Sequence, residues 1–272
     1  MKQSGLVILC AHNTRSSAYI QALAAAGIEP EAVVLYGTNS TAVNSQRNLT
    51  PAHLSLGLFC PDVTLPAADI IRRLGWRSYV CESTALDSVE LQGLLQMLQP
   101  SLLVFSGYGG QIVPASVLKC APVLHIHSGA LPRYRGSTTI YYEILEHRQC
   151  AASAILLDES IDTGPVLLVC RYALPPAGTD IDYLYDNVIR ADVLVKVLAY
   201  KQQHGALPVP ADPVHDPAGL AGLRPGARRP GDRRRGRGGS QRQWSWQGRW
   251  ARAWCVWRAM ARDPGGRRED SS

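Results

Sequence analysis

Close cysteine pairs, an apolar run of membrane length, glycine in the turn after the first strand, and lysine beyond residue 219 are all missing from this chain. Its seven Cys stand singly, at 10, 60, 81, 120, 150, 170 and 255, which argues against a disulfide framework or a zinc ribbon. Cys10, Cys120 and Cys170 lie in apolar runs, where cysteine behaves as a small buried hydrophobe, so a reducing, cytoplasmic setting is expected. The apolar run Gly5 to Ala11 is too short for a signal peptide core and passes directly into His12, Asn13 and Arg15. With no longer apolar stretch, no membrane role is expected. The net charge of +6 is unevenly spread: residues 220–272 hold 14 Arg against four acids, a net of +10, which leaves −4 for residues 1–219. The basic character belongs to the tail alone, and the rest gives no electrostatic reason to bind nucleic acid.

What is present reads as alternating strands and helices. Leu6 to Cys10 is a continuous apolar run, as in a strand buried on both faces. Asn13 or Thr14 caps a helix to about Ala26, ended by Gly27, and Ala32 to Tyr36 is the next strand, so the opening is a βαβ unit. The turn His12 to Ser17 could receive a phosphate at the helix N-terminus with help from Arg15, or be a plain capped start. Residues 38–64 show no element. A helix over Ala67 to Leu74, a strand at Ser78 to Cys81, a helix over Leu86 to Leu98 and a buried strand at Leu102 to Phe105 follow. Val166 to Tyr172 reads as an antiparallel edge strand. Asp180 to Gln203 carries Ile181, Leu184, Tyr185, Val188, Ile189, Val193, Val197 and Leu198 on one broad helical face, and Gly205 with a group of Pro ends it. The expected fold is therefore α/β and Rossmann-like: a mostly parallel twisted sheet, helices on both faces, and an antiparallel edge strand.

The chemistry concentrates between residues 122 and 164. Pro122, Val123 and Leu124 start a short buried strand, and His125 and His127 alternate so that both project from one face at its end. Gly129, Pro132 and Gly136 impose an irregular loop, and Ser137 and Thr138 are placed to cap a helix over Ile140 to His147. A second strand, Ser153 to Leu157, leads into Asp158, Glu159 and Asp162 before Gly164 and Pro165 break the chain. Ligands of open α/β sheets gather beyond the carboxyl ends of strands, so two imidazoles and a carboxylate delivered there mark a site. Spacing alone also allows satisfied polar residues. A His-x-His zinc pair is the competing reading, but no further ligands stand at usable spacing, and no metal is assigned.

These residues resemble the formyltransferases that use 10-formyltetrahydrofolate, whose motif is Asn-x-His, then Leu-Pro-x-aromatic-x-Gly, then Asp-Thr/Ala-Gly. The chain has His127, Leu131-Pro132-Arg133-Tyr134-Arg135-Gly136 and Asp162-Thr163-Gly164 in that order, and Gly110-Gln111-Ile112-Val113-Pro114 upstream. The resemblance covers about residues 5 to 172. One departure stands out: His125 occupies the position of the family Asn. The resemblance implies that His127 polarises the formyl oxygen or shuttles a proton, and that Asp162 orients His127. The residue at 125 would donate to the oxyanion, a role that His125 fills only in the right tautomer. It implies further that Tyr108, Gly109, Gly110 and Gln111, with Leu157, Asp158, Glu159 and Ile161, form the two folate-binding loops.

For the acceptor amine, the resemblance offers several substrates. A methionyl-tRNA enzyme would continue into a basic barrel domain, for which residues 206–272 show no strand pattern, and the purine enzyme would have a glycine-rich phosphate loop after the first strand. A nucleotide-linked amino sugar is expected by elimination, with Arg133, Tyr141 and Tyr142 lining its pocket. The same residues would serve a formyltetrahydrofolate hydrolase, and the altered Asn position leaves open an inactive folate- or nucleotide-binding protein. The expected domains are a catalytic domain over 1–205 and a tail over 206–272. Pro, Gly, Arg and Trp dominate that tail, and five of the six Trp lie between 244 and 257. It reads as a shifted reading frame of a GC-rich gene, as a disordered linker, or as an Arg/aromatic nucleic-acid binder.

Overall fold

A computed structural model describes residues 2–38 and 57–210 of the chain. The expectations for residues 39–56 and for the tail beyond 210 lie outside the described residues. The chain divides into two units, Met1–Asp216 and Pro217–Ser272, and every described residue belongs to the first. The elements run β1 (Lys2–Ala11), α1 (Thr14–Ala25), β2 (Glu29–Tyr36), α2 (Ala67–Leu74), β3 (Ser78–Cys81), α3 (Val89–Leu98), β4 (Leu102–Ser106), a single turn α4 (Ala115–Leu118), β5 (Val123–Ser128), α5 (Thr139–His147), β6 (Cys150–Leu156), β7 (Val166–Tyr172), a π-helical turn (Ile181–Tyr185) and α6 (Asp186–His204).

One seven-stranded sheet carries them, in the order β3-β2-β1-β4-β5-β6-β7. β1 to β5 are mutually parallel, whereas β6 is antiparallel to both β5 and β7. The sheet is thus the expected mostly parallel, Rossmann-like one, with an antiparallel pairing at its β7 edge. β1 is central, and Leu6 through Ala11 are at most 2% exposed, which is why this strand reads as unbroken apolar sequence. Val7, Leu9 and Ala11 pack with Leu91, Leu95 and Leu98 of α3 and Val117 of α4. By alternation, Leu6, Ile8 and Cys10 face the opposite side. α6 lies against β5, β6 and β7 and also against α1. Its expected apolar face is observed, with Val188, Ile189, Val193, Val197 and Leu198 all at most 2% exposed. Gly205 closes the helix in the left-handed conformation, as its position predicts.

Strand order reverses between β1 and β4, so their adjacent carboxyl ends flank the topological switch point where such sheets open a crevice. β5, next to β4, ends beside that crevice. Two local expectations are corrected. Thr138 precedes α5 but does not cap it through its side chain: its backbone is left-handed (φ 59°) and its hydroxyl donates to the Ser137 carbonyl at 2.7 Å. α3 begins at Val89, three residues after Leu86, because the Ser88 hydroxyl caps it through the Leu91 amide at 3.3 Å.

The turn from β6 to β7 passes so close to its own strand that residue 164 has no room for a side chain. A Cβ on Gly164 would lie 1.9 Å from the Leu156 carbonyl oxygen. Gly164→Ala therefore has to displace backbone, and we expect it to destabilise the protein by about 1–3 kcal/mol, the usual penalty for overpacking. Equilibrium urea unfolding checks this; an unchanged midpoint would contradict the close approach.

Candidate active site

Strand alternation places His125 and His127 on one face of β5, opposite Ile155 and Ser153 of β6. His127 is 3% exposed. Its Nε2 lies 2.7 Å from the Tyr134 carbonyl oxygen, which can only accept, so Nε2 carries a proton. Nδ1 faces Oδ2 of Asp162 at 3.4 Å. Asp162 reaches this place from a left-handed backbone (φ 52°), and the same Oδ2 accepts from the Gly136 amide at 2.8 Å. The two ends of the expected motif are therefore joined by one carboxylate. Burial lowers the pKa of His127 below the ordinary histidine value; the Asp162 carboxylate works against burial, and the Arg190 guanidinium adds to it. With the ring neutral, an unprotonated Nδ1 points at a carboxylate, and the pair is one proton short of a charge-assisted hydrogen bond. Chemically it is a proton acceptor.

His125 is half-buried, its ring tilted against Phe105 at 6.0 Å between centroids. Its Nδ1 lies 3.3 Å from the Phe105 carbonyl oxygen. Burial, then the charges of Arg190, Arg15 and His127, hold its pKa well below the ordinary value. Arg15 is fixed by donation from Nε to the Ser106 hydroxyl at 3.3 Å and from Nη2 to the Gly107 carbonyl. Asn13 caps α1 through the Ser16 amide at 2.9 Å and donates to the same Gly107 carbonyl at 3.0 Å. The start of α1 is thus capped from within the chain, and Arg15 braces the end of β4. Arg190 is 8% exposed; its Nε is 3.0 Å from Oδ2 of Asp186, while its Nη1 has no hydrogen-bond partner among the described residues.

Two loops flank the imidazoles. After β4 come Tyr108, Gly109, Gly110 and Gln111. The Gln111 amide braces this loop: Oε1 accepts from the Tyr36 hydroxyl at 2.5 Å and the Tyr108 amide at 3.1 Å, and Nε2 donates to the Thr84 carbonyl at 2.9 Å. Gly109 and Gly110 are exposed. After β6, the Leu157 amide donates to the Val123 carbonyl at 2.8 Å, so this loop is tied to the first residue of β5. Asp158 folds the loop by accepting from the Ser160 amide at 3.0 Å and the Thr163 hydroxyl at 2.7 Å, and Glu159 is exposed. Ile112 and Ile161 are 65% and 60% exposed. Exposed glycine backbone and apolar side chains on these loops suit a flat ring with a polar edge.

The model of the family described as "Formyl transferase" matches residues 6–198. The chain belongs to this family. A methionyl-tRNA formyltransferase from Chloroflexus aurantiacus is 31% identical over 199 residues, 71% of this chain and 58% of that protein. One from Nitratiruptor sp. is 29% identical over 138 residues, 50% of this chain and 41% of that protein. The chain thus spans roughly half the length of these relatives. The crystal structure of phosphoribosylglycinamide formyltransferase from Streptococcus pneumoniae superposes with a TM-score of 0.51 at 17% identity, covering 75% of this chain and all of that one, which supports the fold.

Within this formyl transferase fold, the three residues expected to meet substrate are differently placed. Arg133 is exposed and donates to Glu146 of α5 at 2.7 Å, and the Tyr134 hydroxyl donates to the same carboxylate oxygen at 2.7 Å. The Tyr141 hydroxyl donates to Asp182 at 2.9 Å, and Tyr142 is 54% exposed. Arg133 and Tyr141 thus bridge α5 to neighbouring segments, and among the described residues Tyr142 alone of the three makes no side-chain hydrogen bond. Other residues that hold the His127 loop were not singled out from sequence. Glu143, 1% exposed, accepts from the Ala130 amide at 3.0 Å. The Ser153 hydroxyl accepts from the Leu131 amide at 3.0 Å and donates to the Gly129 carbonyl at 2.7 Å. Glu143 had a legible signal, a carboxylate one helical turn from buried Ile140; Ser153 acquires meaning only once β6 is paired with β5. Among the described residues, no group of three His, Cys, Asp or Glu is placed to hold a metal ion, and no helix is long and apolar enough to cross a membrane.

The opposing influences on His127 can be separated. A carboxylate beside the ring favours imidazolium, so Asp162→Asn removes the largest factor raising the pKa and leaves only the Tyr134 carbonyl and the Asp186 charge to oppose burial. The titration midpoint of His127, followed by NMR, should move to lower pH in Asp162→Asn. A midpoint unchanged or moved upward would show that the two side chains are not electrostatically joined.

Proposed function

We propose that this protein transfers the formyl group of 10-formyltetrahydrofolate to the primary amine of a small substrate, a nucleotide-linked amino sugar. The observation that carries the reading is the buried His127–Asp162 pair, with His127 near the end of β5 and its Nδ1 3.4 Å from Oδ2 of Asp162. Formyl transfer forms a bond from the amine nitrogen to the formyl carbon and breaks the bond from that carbon to N10 of the folate. The amine loses a proton and N10 gains one. A site holding a proton vacancy at His127 Nδ1 next to a carboxylate takes up the first and returns it for the second. The loops beyond β4 and β6 supply the folate surface, and Tyr142, exposed on α5, is assigned to the acceptor.

A second acceptor, methionyl-tRNA, is favoured by the identity of the sequence relatives, which carry that activity in their names. The chemistry at His127 and Asp162 is common to both, and only the acceptor-binding surface differs.

The test has two stages. Calorimetry with 5-formyltetrahydrofolate, a stable analogue of the donor, should show binding. Tetrahydrofolate release from the donor should then depend on an acceptor, tried in turn as nucleotide-linked amino hexoses, methionyl-tRNA and water alone. His127→Ala should lower kcat by about a hundredfold or more, as loss of a positioned proton-transfer group does. Release of equal rate with and without amine would identify a hydrolase, and absence of folate binding would end the reading.

A further inference from the structure

Nε2 of His127 has a second neighbour besides the Tyr134 carbonyl: Oγ1 of Thr139 lies 3.4 Å from it. Thr139 is the first residue of α5 and is 2% exposed, whereas Thr138 before it, left-handed at φ 59°, is exposed. The Thr139 hydroxyl donates to the carbonyl of Ser128, the residue that follows His127. A hydroxyl has one proton and a carbonyl oxygen can only accept, so that proton is committed to Ser128. Toward Nε2 the same oxygen can therefore only accept. Gly129 makes the close fit possible. It sits at φ 95°, and a Cβ there would lie 3.1 Å from Cβ of Thr139 and 3.2 Å from Oγ1. The Nε2 proton of His127 thus has two acceptors, the Tyr134 carbonyl at 2.7 Å and, further off, the Thr139 hydroxyl oxygen at 3.4 Å.

These acceptors compete with Asp162 for one proton. The carboxylate 3.4 Å from Nδ1 draws the proton of a neutral ring toward that nitrogen, where it would make a charge-assisted hydrogen bond. Moving it there would leave the Nε2 lone pair facing the lone pairs of two buried oxygens. We propose that Thr139 is a positioning residue: its hydroxyl oxygen, its own proton committed to Ser128, holds the ring's proton on Nε2 and so keeps Nδ1 vacant beside Asp162. This rests on the formyl-transfer reading above and says how the vacancy used there is maintained. As the amine nitrogen bonds to the formyl carbon, its proton passes to Nδ1 and the ring becomes imidazolium. The Nε2–H, now part of a cation, is held more strongly by both oxygens. Neither oxygen carries a proton onward: the Tyr134 carbonyl is not basic, and the Thr139 hydroxyl ends on the Ser128 carbonyl. When the bond from the formyl carbon to N10 breaks, the proton given to N10 therefore leaves by Nδ1, the nitrogen through which it came, and the ring returns to its starting tautomer.

Nitrogen NMR of the histidine-labelled full chain, with the ring neutral, reads the tautomer of His127 directly. Wild type should carry the proton on Nε2. Thr139→Val has nearly the same shape without the hydroxyl and should move a measurable share of the rings to the Nδ1–H form. Thr139→Ser keeps the hydroxyl and should retain the wild-type ratio. Formyl transfer to a dTDP-linked amino hexose and to methionyl-tRNA gives the second readout. Thr139→Val should lower kcat by about tenfold, part of the hundredfold or more expected for loss of the imidazole, with KM little changed, and Thr139→Ser should stay near wild type. If Thr139→Val does not fold, Thr139→Ala, which cannot clash, is read in the same way. A wild-type tautomer ratio in a folded variant lacking the hydroxyl would overturn the proposal, as would a Ser variant as impaired as the Val variant. The spectra need no substrate, so failure of wild type to transfer formyl to either acceptor would reject the formyl-transfer reading while the role of Thr139 is still decided.

Discussion

Each imidazole on β5 gives its N–H to a main-chain carbonyl, His125 to Phe105 and His127 to Tyr134, and the surrounding structure is arranged around that constraint. Backbone carbonyls are fixed by the sheet and by the loop that follows, so the tautomers of both rings are set by the fold and not by the ligand. The remaining nitrogen of His127 faces Asp162. The Asp162 carboxylate then serves two ends of the loop at once, since the oxygen facing His127 also accepts from Gly136. The same loop is pinned below by Ser153 and Glu143. Its backbone amides would otherwise be buried without partners, which costs about 1–3 kcal/mol each, so catalytic geometry and loop stability rest on the same bonds.

Electrostatics complete the arrangement. Arg15 and Arg190 are held near the imidazoles by structural partners, Arg15 by the end of β4 and Arg190 by Asp186 one helical turn away. Arg190 opposes protonation of both rings and Arg15 that of His125, and the Asp162 carboxylate counters Arg190 at His127. Two histidines two residues apart are thereby given different affinities for a proton, a common way for one site to separate accepting and delivering roles. The aspartate comes from the turn between β6 and β7, where Gly164 allows the chain to lie against the Leu156 carbonyl. In the triplet Asp162-Thr163-Gly164, the first residue meets His127, the second ties the turn to Asp158, and the third permits the close approach.

Elements that bury a face were legible from sequence, because burial dictates periodicity: α2, β3 and β7 occupy the residues expected of them, and α6 shows its expected stripe. The pairing of His127 with Asp162 was legible only through motif resemblance, since no local pattern joins a strand end to a turn so much further along the chain. Other features were hidden because they depend on tertiary pairing. Ser153 is an ordinary strand serine until β6 lies beside β5. Thr138 looked like a cap, but the left-handed entry into α5 turns its hydroxyl away from the helix. Gln111 looked like a ligand-binding amide, yet its side-chain bonds close the loop onto Tyr36, Tyr108 and Thr84.

The central claim is that the His127–Asp162 pair performs the proton transfers of formyl transfer, and single-turnover kinetics of Asp162→Asn test it most directly. The variant keeps a hydrogen-bond acceptor for Gly136 but cannot carry the charge that supports a proton on His127. With 10-formyltetrahydrofolate bound and acceptor amine in excess, the rate of formyl transfer should fall by about a hundredfold or more relative to wild type, while affinity for 5-formyltetrahydrofolate changes little. Transfer at the wild-type rate by Asp162→Asn, with folate binding retained, would contradict the account.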